Sequence, residues 1–477
     1  MTDVVHNDLV IIGGGVTGLA AAYRAHQQNP LLKITLLEAS DYLGGKIMTE
    51  EINGFTLEGG PDCFLSRKPR GIGLCEALGV TAELQGRKPA EHKAYVWRNG
   101  RLHTLPEGLS GMIPTQLEPL LNHTLLTPEG AQRVAQEPEI PVKESDEDEA
   151  VGTFVSRRFG REAFENLIEP LMGGIYAGQA DQLSLEATFP QLRQVELKHG
   201  SLIKGLGNNT AAQDVYYPPF VSFKQGMVGL VQHIVERLGD SVSIYLNTKA
   251  TQIKQTAAGD WLITTQDNQS KMPLDATLRP ENLKSKTLIL ATPAFINAKL
   301  LSEVAPQAAV AHAEIPYAST ALVNFAYDTA ALPKLPEGYG YVTPQVEKRD
   351  ALACTWTSQK WDHRAPEGKT LLRVYIGRYG EGDVTKLNDD TLVDIAQREI
   401  RETLGITAAP QLRHIFRWPN GLPQYNLGHL ERLQRIDEEL GQLSGLYVAG
   451  AAYNGVGIPD CIKSGEAAAE KVLAILT

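Results

Sequence analysis

The sequence predicts an α/β protein built from more than one folding unit, with α/β segments at both ends of the chain. Three observations lead there. Strand, glycine turn, helix, strand and acid follow one another over residues 9–38, and a second strand, glycine turn and helix close the chain over 445–476. The chain has 477 residues, too many for one compact core, so two or three folding units are expected.

The first unit opens with Leu9-Val10-Ile11-Ile12, a short branched apolar run that reads as a buried parallel strand. Gly13-Gly14-Gly15-Val16-Thr17-Gly18 follows, then a helical stretch from Leu19 to Ala25, and then a strand over Lys33–Leu37 ending at Glu38. Each part has its own physics. Gly13 permits the tight turn, Gly15 lets the backbone approach a pyrophosphate, and Gly18 lets the helix pack close to the sheet. The helix N-terminus offers free N–H groups and a partial positive charge to that pyrophosphate. Glu38 can accept hydrogen bonds from ribose hydroxyls and would repel a 2′-phosphate. A structural glycine turn is the alternative, but strand, helix and acid all fall where dinucleotide binding needs them. The motif alone does not separate FAD from NAD.

Two more glycine clusters follow. Gly44-Gly45-Lys46 lies just past Glu38-Ala39, and Glu58-Gly59-Gly60-Pro61-Asp62 comes after Phe55-Thr56-Leu57. An extended dinucleotide would meet several such backbone segments along its length, although Gly59-Gly60 could be only a turn. The order of Gly13–Leu19, Glu38-Ala39, Gly44-Gly45-Lys46 and Glu58–Pro61 resembles the FAD-dependent amine oxidase and porphyrinogen oxidase superfamily.

Further strings narrow the resemblance. Asn166-Leu-Ile-Glu-Pro-Leu-Met-Gly-Gly-Ile-Tyr-Ala-Gly178, then Ser184-Leu185 and Thr188-Phe189-Pro190-Gln191, resemble bacterial porphyrinogen oxidases. Ala353-Cys354-Thr355-Trp356-Thr357-Ser358, Lys360-Trp361 and His363 resemble the Gram-positive-like branch, which includes coproporphyrinogen III oxidases and protoporphyrinogen oxidases. Arg373–Arg378, Arg417-Trp418-Pro419 and Pro423-Gln424-Tyr425 continue the match. At the far end, Gly445–Gly450 is a strand running into a glycine. Asn454-Gly455-Val456-Gly457-Ile458-Pro459-Asp460-Cys461 then leads to a helix over Ser464–Leu476.

The resemblance implies a discontinuous Rossmann-type FAD-binding domain over 1–66, 201–295 and 416–477. It implies an inserted α+β substrate-binding domain over 67–95 and 296–415, and a mostly helical insert over 96–200 for which a membrane-facing surface is one reading. It carries cofactor contacts to Gly13, Gly14, Gly15, Val16, Thr17, Gly18, Glu38, Ala39, Gly45, Lys46, Gly60, Pro61, Asp62, Ala250, Trp418, Gly450, Val456, Gly457 and Ile458. The family usually has valine at the position of Ala250. Cys461 is read as structural, since porphyrinogen oxidases hold FAD without a covalent bond.

The implied reaction is a six-electron oxidation of coproporphyrinogen III to coproporphyrin III, with oxygen reduced to hydrogen peroxide and flavin N5 as the hydride acceptor. Protoporphyrinogen IX is the alternative substrate. No acid–base residue is identified. The substrate site should be apolar with a few cations for propionates. Arg67 and Lys68 are candidates, Lys68 by its resemblance to a substrate-site lysine, and each could instead be plain surface charge. Ile175 and Tyr375 are candidates for the pocket wall, Tyr375 equally readable as core. Lys360 and Arg378 could add cations for a tetracarboxylate. An amine oxidase or carotenoid desaturase, and a flavin-free binding protein like the Rab GDP-dissociation inhibitors, are the competing readings. The Asn166–Gly178 string argues against the first two, and the glycine clusters at both ends against the third.

Charge and composition fit this reading. With 45 Lys+Arg against 56 Asp+Glu, the net of −11 argues against nucleic-acid binding. Cys63, Cys75, Cys354 and Cys461 form no close pair, which fits a reducing compartment. Met1–Leu9 lacks the basic start of a secretory signal. No apolar run approaches the roughly 20 residues that span a bilayer. A cytoplasmic protein is expected, with peripheral contact to the inner face of the membrane and to other haem-pathway enzymes as further possibilities. Leu105–Pro128 could form a pocket wall, a membrane-touching surface or ordinary core. Gln136–Glu149, rich in proline and acid, reads as a solvated linker before a helix over Val151–Phe159, and Val228–Leu238 reads as another helix.

Overall fold

The structure, a computed structural model, describes residues 5–88, 93–207, 217–268 and 280–476. The first four residues of the Met1–Leu9 stretch lie outside the described residues. Two seven-stranded sheets and a helical part make up the fold.

The first sheet begins as the sequence predicts. Strand Val5–Ile12 pairs in parallel with Ile34–Leu37 on one side and with Asn282–Leu290 on the other. Val242–Tyr245 extends the sheet in parallel beyond Ile34–Leu37. Strand Asn282–Leu290 divides its second edge. Its first half pairs antiparallel with Trp261–Asp267, and Leu288–Leu290 pairs in parallel with Leu446–Val448. Residues from the start, middle and end of the chain therefore share one sheet.

The first and last helices, Val16–Gln28 and Ile458–Leu476, pack directly on each other. Small residues allow it. Ala20, Ala21 and Ala22 are buried on one helix and Ala468 and Ala469 on the other. A Cβ on Gly465 would sit 2.1 Å from the Thr17 carbonyl, so only glycine permits this approach.

The second sheet runs in the order 412–423, 317–328, 369–376, 351–356, 340–342, 95–98, 101–104. Its neighbours are antiparallel except Gly340–Val342 with Tyr95–Arg98. Residues 95–104, most of them read as the start of the helical insert, thus form a hairpin on this sheet's edge. Helix Asp389–Leu404 buries Leu392, Val393, Ala396 and Ile400 against it. The Asn388 side chain caps that helix, accepting from the Thr391 amide at 2.8 Å.

The helical part has its own core, which includes Val151, Phe154, Phe159, Phe164, Leu167 and Ile168. Helices Val151–Phe159 and Val228–Leu238 have the predicted bounds. Ile113, Leu120, Leu125 and Leu126 are buried in the helical core, so that part of Leu105–Pro128 is ordinary packing. The linker reading of Gln136–Glu149 needs correction at its start. Glu137 is fully buried, bound by Arg158 and by the Ser201 hydroxyl and the Leu202 amide at 2.9 Å. It ties two helices together, and only the acids beyond it stay at the surface. No helix among the described residues is long and apolar enough to cross a membrane.

Candidate functional site

The glycine segments converge. The Gly44 amide donates to the Gly14 carbonyl at 2.8 Å, and Gly15 and Gly44 form an isolated parallel bridge. Gly45, at φ +60°, would bring a Cβ to 3.3 Å from the Gly15 Cα. Gly13 has φ +113°, a conformation that favours glycine, and lies against Ala291. The Glu38 carboxylate accepts from the Gly14 amide at 2.7 Å and from the Ser40 amide at 2.8 Å. The Ser40 hydroxyl donates to it as well, at 2.7 Å, so of a carboxylate's roughly four acceptor positions about one remains for a further donor. The Thr248 amide donates to the Glu38 carbonyl at 2.8 Å, and this brings Ala250, 7% exposed and at a bulge, to the same neighbourhood.

The far end of the chain arrives at the same place. Gly450 has φ +129°, and a Cβ there would have Thr17 Oγ1 as its nearest neighbour, at 3.8 Å. The turn that follows is pinned from behind. The Tyr425 hydroxyl donates to the Ala451 carbonyl at 2.6 Å and accepts from the Gly455 amide at 2.8 Å. His429 stacks on Tyr425 at 4.1 Å. Cys461 is a buried free thiol whose pKa burial pushes up to about 11.

The third cluster is gripped from both sides. Gly60 packs on the Lys46 carbonyl, where a Cβ would come within 1.9 Å. The Gly59 carbonyl accepts from Trp418 Nε1 at 2.6 Å, and Arg373 donates to the Glu58 and Gly60 carbonyls at 3.0 and 3.1 Å. The Asp62 side chain is committed to protein partners: Lys360 Nζ at 2.8 Å and Trp361 Nε1 at 2.9 Å. Burial alone would raise its pKa. Lys360 and Arg373 outweigh that and hold it well below the usual carboxylate range. Lys46 keeps an exposed side chain.

The residues fit an extended dinucleotide. A Cβ on Gly15 would meet nothing within 4 Å, although its neighbours Gly13, Gly14 and Gly18 are tightly packed. Helix Val16–Gln28 has no side-chain cap on its first turn, so its amides remain free for an anion. Gly15 thus opens a space at an uncapped positive helix end.

The proposed substrate cations are sited differently from one another. Arg67 and Lys68 are exposed. Lys68 pairs with Asp460 at 2.5 Å. Ile175 is 44% exposed at the end of helix Glu169–Tyr176, while Tyr375 is half-buried with its hydroxyl against Arg373. Lys360 and Arg378 do not stand free. Lys360 is paired with Asp62, and Arg378 is 5% exposed and bound to Glu169 at 2.8 Å. Both lie within the fold, where an unpaired charge is too costly. The sequence reading missed Arg373. Its signal is an arginine inside the apolar run Thr370-Leu-Leu-Arg-Val-Tyr-Ile376, where a charge must have a partner.

This fold and glycine cradle define a dinucleotide-binding protein. A profile described as Flavin containing amine oxidoreductase matches residues 16–473. The chain is 36% identical to a coproporphyrinogen III oxidase of Bacillus subtilis (strain 168), over 98% of each chain. It is 34% identical to that of Staphylococcus aureus (strain NCTC 8325 / PS 47), over 98% of this chain and 99% of the other. A crystal structure from Exiguobacterium sp. 255-15, provisionally called a protoporphyrinogen oxidase, superposes with a TM-score of 0.86 at 34% identity over the full length of both chains. The chain belongs to the flavin-containing amine oxidoreductase family and is a flavin-dependent oxidoreductase.

Proposed function

We propose that this protein oxidises coproporphyrinogen III to coproporphyrin III, with three molecules of oxygen reduced to hydrogen peroxide. The observation that carries the reading is full-length similarity to coproporphyrinogen III oxidases at 34–36% identity. Protoporphyrinogen IX is the second reading, favoured by plant protoporphyrinogen oxidases that match at 27% and a bovine one at 29%. FAD, held without a covalent bond, supplies the hydride acceptor.

The chain's own residues bind and orient. The free amides at the start of helix Val16–Gln28 hold the pyrophosphate, and Glu38 holds the ribose. Gly45, Lys46, Gly60 and Pro61 follow the cofactor along its length, with Ala250 by the adenine and Trp418, Gly450 and Val456–Ile458 towards the ring. Asp62 contributes through its backbone, because its carboxylate is already occupied. Arg67 and Lys68 receive propionates, and Ile175 and Tyr375 wall the pocket. The three-segment cofactor domain, the two-segment substrate domain and the helical insert are the domain layout that goes with this reading. Cytoplasmic location is part of it, as is peripheral membrane contact.

Anaerobic mixing with each porphyrinogen tests the assignment. Bleaching of the visible flavin band by coproporphyrinogen III, and much more slowly by protoporphyrinogen IX, is expected. Equal rates would remove the preference, and no bleaching by either would overturn the reading.

A further inference from the structure

Lys68, the N-cap of helix Pro69–Leu78, already holds a carboxylate. Its ammonium lies 2.5 Å from Asp460 Oδ2, in the first turn of helix Ile458–Leu476. A second pair, Arg70–Glu466 at 3.0 Å, braces the same two helices, so Lys68 is not needed to hold them together. The Asp460 carboxylate crosses the last glycine turn, where Cβ atoms on Gly455 and Gly457 would lie 2.6 Å and 3.0 Å from it. The side chains of Lys68 and Asp460 are 45% and 17% exposed, so an anion can reach the lysine. Asp460 also acts electrostatically on Tyr176, beside the exposed Ile175. Arg67, next to Lys68, is exposed and has no ion pair among the described residues.

We propose that Asp460 is a built-in competitor for the substrate's carboxylate: it occupies Lys68 in the free protein and yields it to a propionate on binding. This rests on the porphyrinogen reading above. Each propionate gained at Lys68 then replaces an existing ion pair instead of meeting a free cation. Asp460 thereby lowers affinity for the large flat acid and eases its release. No covalent bond or electron moves in this exchange. Asp460 acts through Lys68 and is a positioning residue.

The test is equilibrium binding of coproporphyrin III, which is stable in air, read by porphyrin fluorescence on the flavin-loaded protein. Asp460→Asn is expected to tighten binding about two- to fivefold, the range of an exposed ion pair. Asp460→Ser serves as a second uncharged variant should the first fold poorly, and Asp460→Glu should return the wild-type affinity. Lys68→Ala is then made with and without Asp460. Its loss of affinity should be larger in the Asp460→Asn background, because Lys68 is free there. Unchanged or weaker binding in both uncharged variants overturns the proposal. So does tighter binding with an equal Lys68→Ala loss in both backgrounds, which would indicate repulsion at a distance. Wild-type protein that binds neither coproporphyrin III nor protoporphyrin IX overturns the porphyrinogen reading itself, and the displacement with it.

Discussion

The two sheets grip the Gly59–Asp62 turn with different materials. On the first sheet's side the contacts are backbone: Gly60 lies on the Lys46 carbonyl, and the Gly59 amide donates to the Met48 carbonyl at 2.8 Å. On the second sheet's side they are long side chains, with Arg373, Trp418 and Lys360 reaching across. Backbone contacts fail when a side chain is added. Charged contacts fail when one partner is removed. The two sides should therefore break in distinguishable ways.

Glycine substitutions give the largest expected effect. Gly18→Ala and Gly60→Ala each put a Cβ 1.9 Å from a carbonyl oxygen, Gly13 and Lys46 respectively. A loss of about 4 kcal/mol or more is expected, seen as low soluble yield and colourless protein. Gly15→Ala is the control that sharpens the comparison. Its φ of −69° and ψ of 173° suit alanine, and the new Cβ meets no protein atom within 4 Å. Stability of the flavin-free protein should stay within about 0.5 kcal/mol, while flavin retained through purification falls at least about tenfold. A Gly15→Ala protein that keeps its flavin would show that the space is not the cofactor's.

On the charged side, Asp62→Asn leaves Lys360 and Arg373 without their carboxylate. The pairs are largely buried: Lys360 keeps 15% of its side chain exposed and Arg373 keeps 3%. Urea denaturation should show a loss of about 3–5 kcal/mol. Lys360→Met added to Asp62→Asn should recover part of it, since one uncompensated cation is gone. A double variant no more stable than the single one would mean that Arg373 carries the coupling.

The same division explains what could be read from the sequence. The glycine segments, Glu38 and the helices Val151–Phe159 and Val228–Leu238 are local patterns, and each is found where its spacing puts it. The charged side is built from pairs far apart in the chain. Asp62 meets Lys360, Glu169 meets Arg378, and Glu58 meets Arg364 at 3.2 Å. A single residue in such a pair looks like a free charge, which is why Lys360 and Arg378 read as available cations. Glu137 was illegible for the same reason, because Arg158 and Ser201 come later in the chain.

Acid should weaken the back of the far glycine turn. Burial lowers the pKa of both His312 and His429 to about 4. His312 bonds the Tyr453 hydroxyl at 2.9 Å and the Ala308 carbonyl at 2.7 Å. His429 faces the Tyr453 carbonyl at 3.3 Å, with Arg432 as the nearby charge. An unfolded histidine titrates near about 6.5. Above that value neither state is protonated and the two histidines are neutral to stability. As pH falls from 6.5 towards 4 the unfolded chain binds protons first, so stability declines, by about 2 kcal/mol per histidine at pH 5. Asp62 moves in the other window: its depressed pKa adds stability above the ordinary carboxylate range, which is lost only in stronger acid. Urea midpoints between pH 7 and 5 should fall less steeply in His312→Gln and His429→Gln. An unchanged slope in both would place the acid loss elsewhere.

The smallest effect tests whether backbone strain near the substrate side serves a purpose. Ala177 ends helix Glu169–Tyr176 at φ +45° and ψ 33°, the left-handed region where alanine is disfavoured. The conformation is held in place: the Ala177 amide donates to the Gly173 carbonyl at 2.8 Å, and its own carbonyl accepts from the Tyr379 amide at 2.8 Å. Gln424 fixes the preceding Tyr176 carbonyl at 2.8 Å. Glycine would relieve the strain but free the unfolded chain, so the two terms oppose each other. Relief should win by about 0.5–1 kcal/mol, because a left-handed alanine costs more than glycine's extra freedom. If Ala177→Gly instead lowers the urea midpoint, the methyl group's packing beside Ala318 and Leu352 outweighs the backbone cost, and side-chain contacts govern this end of the helix as they govern the charged side.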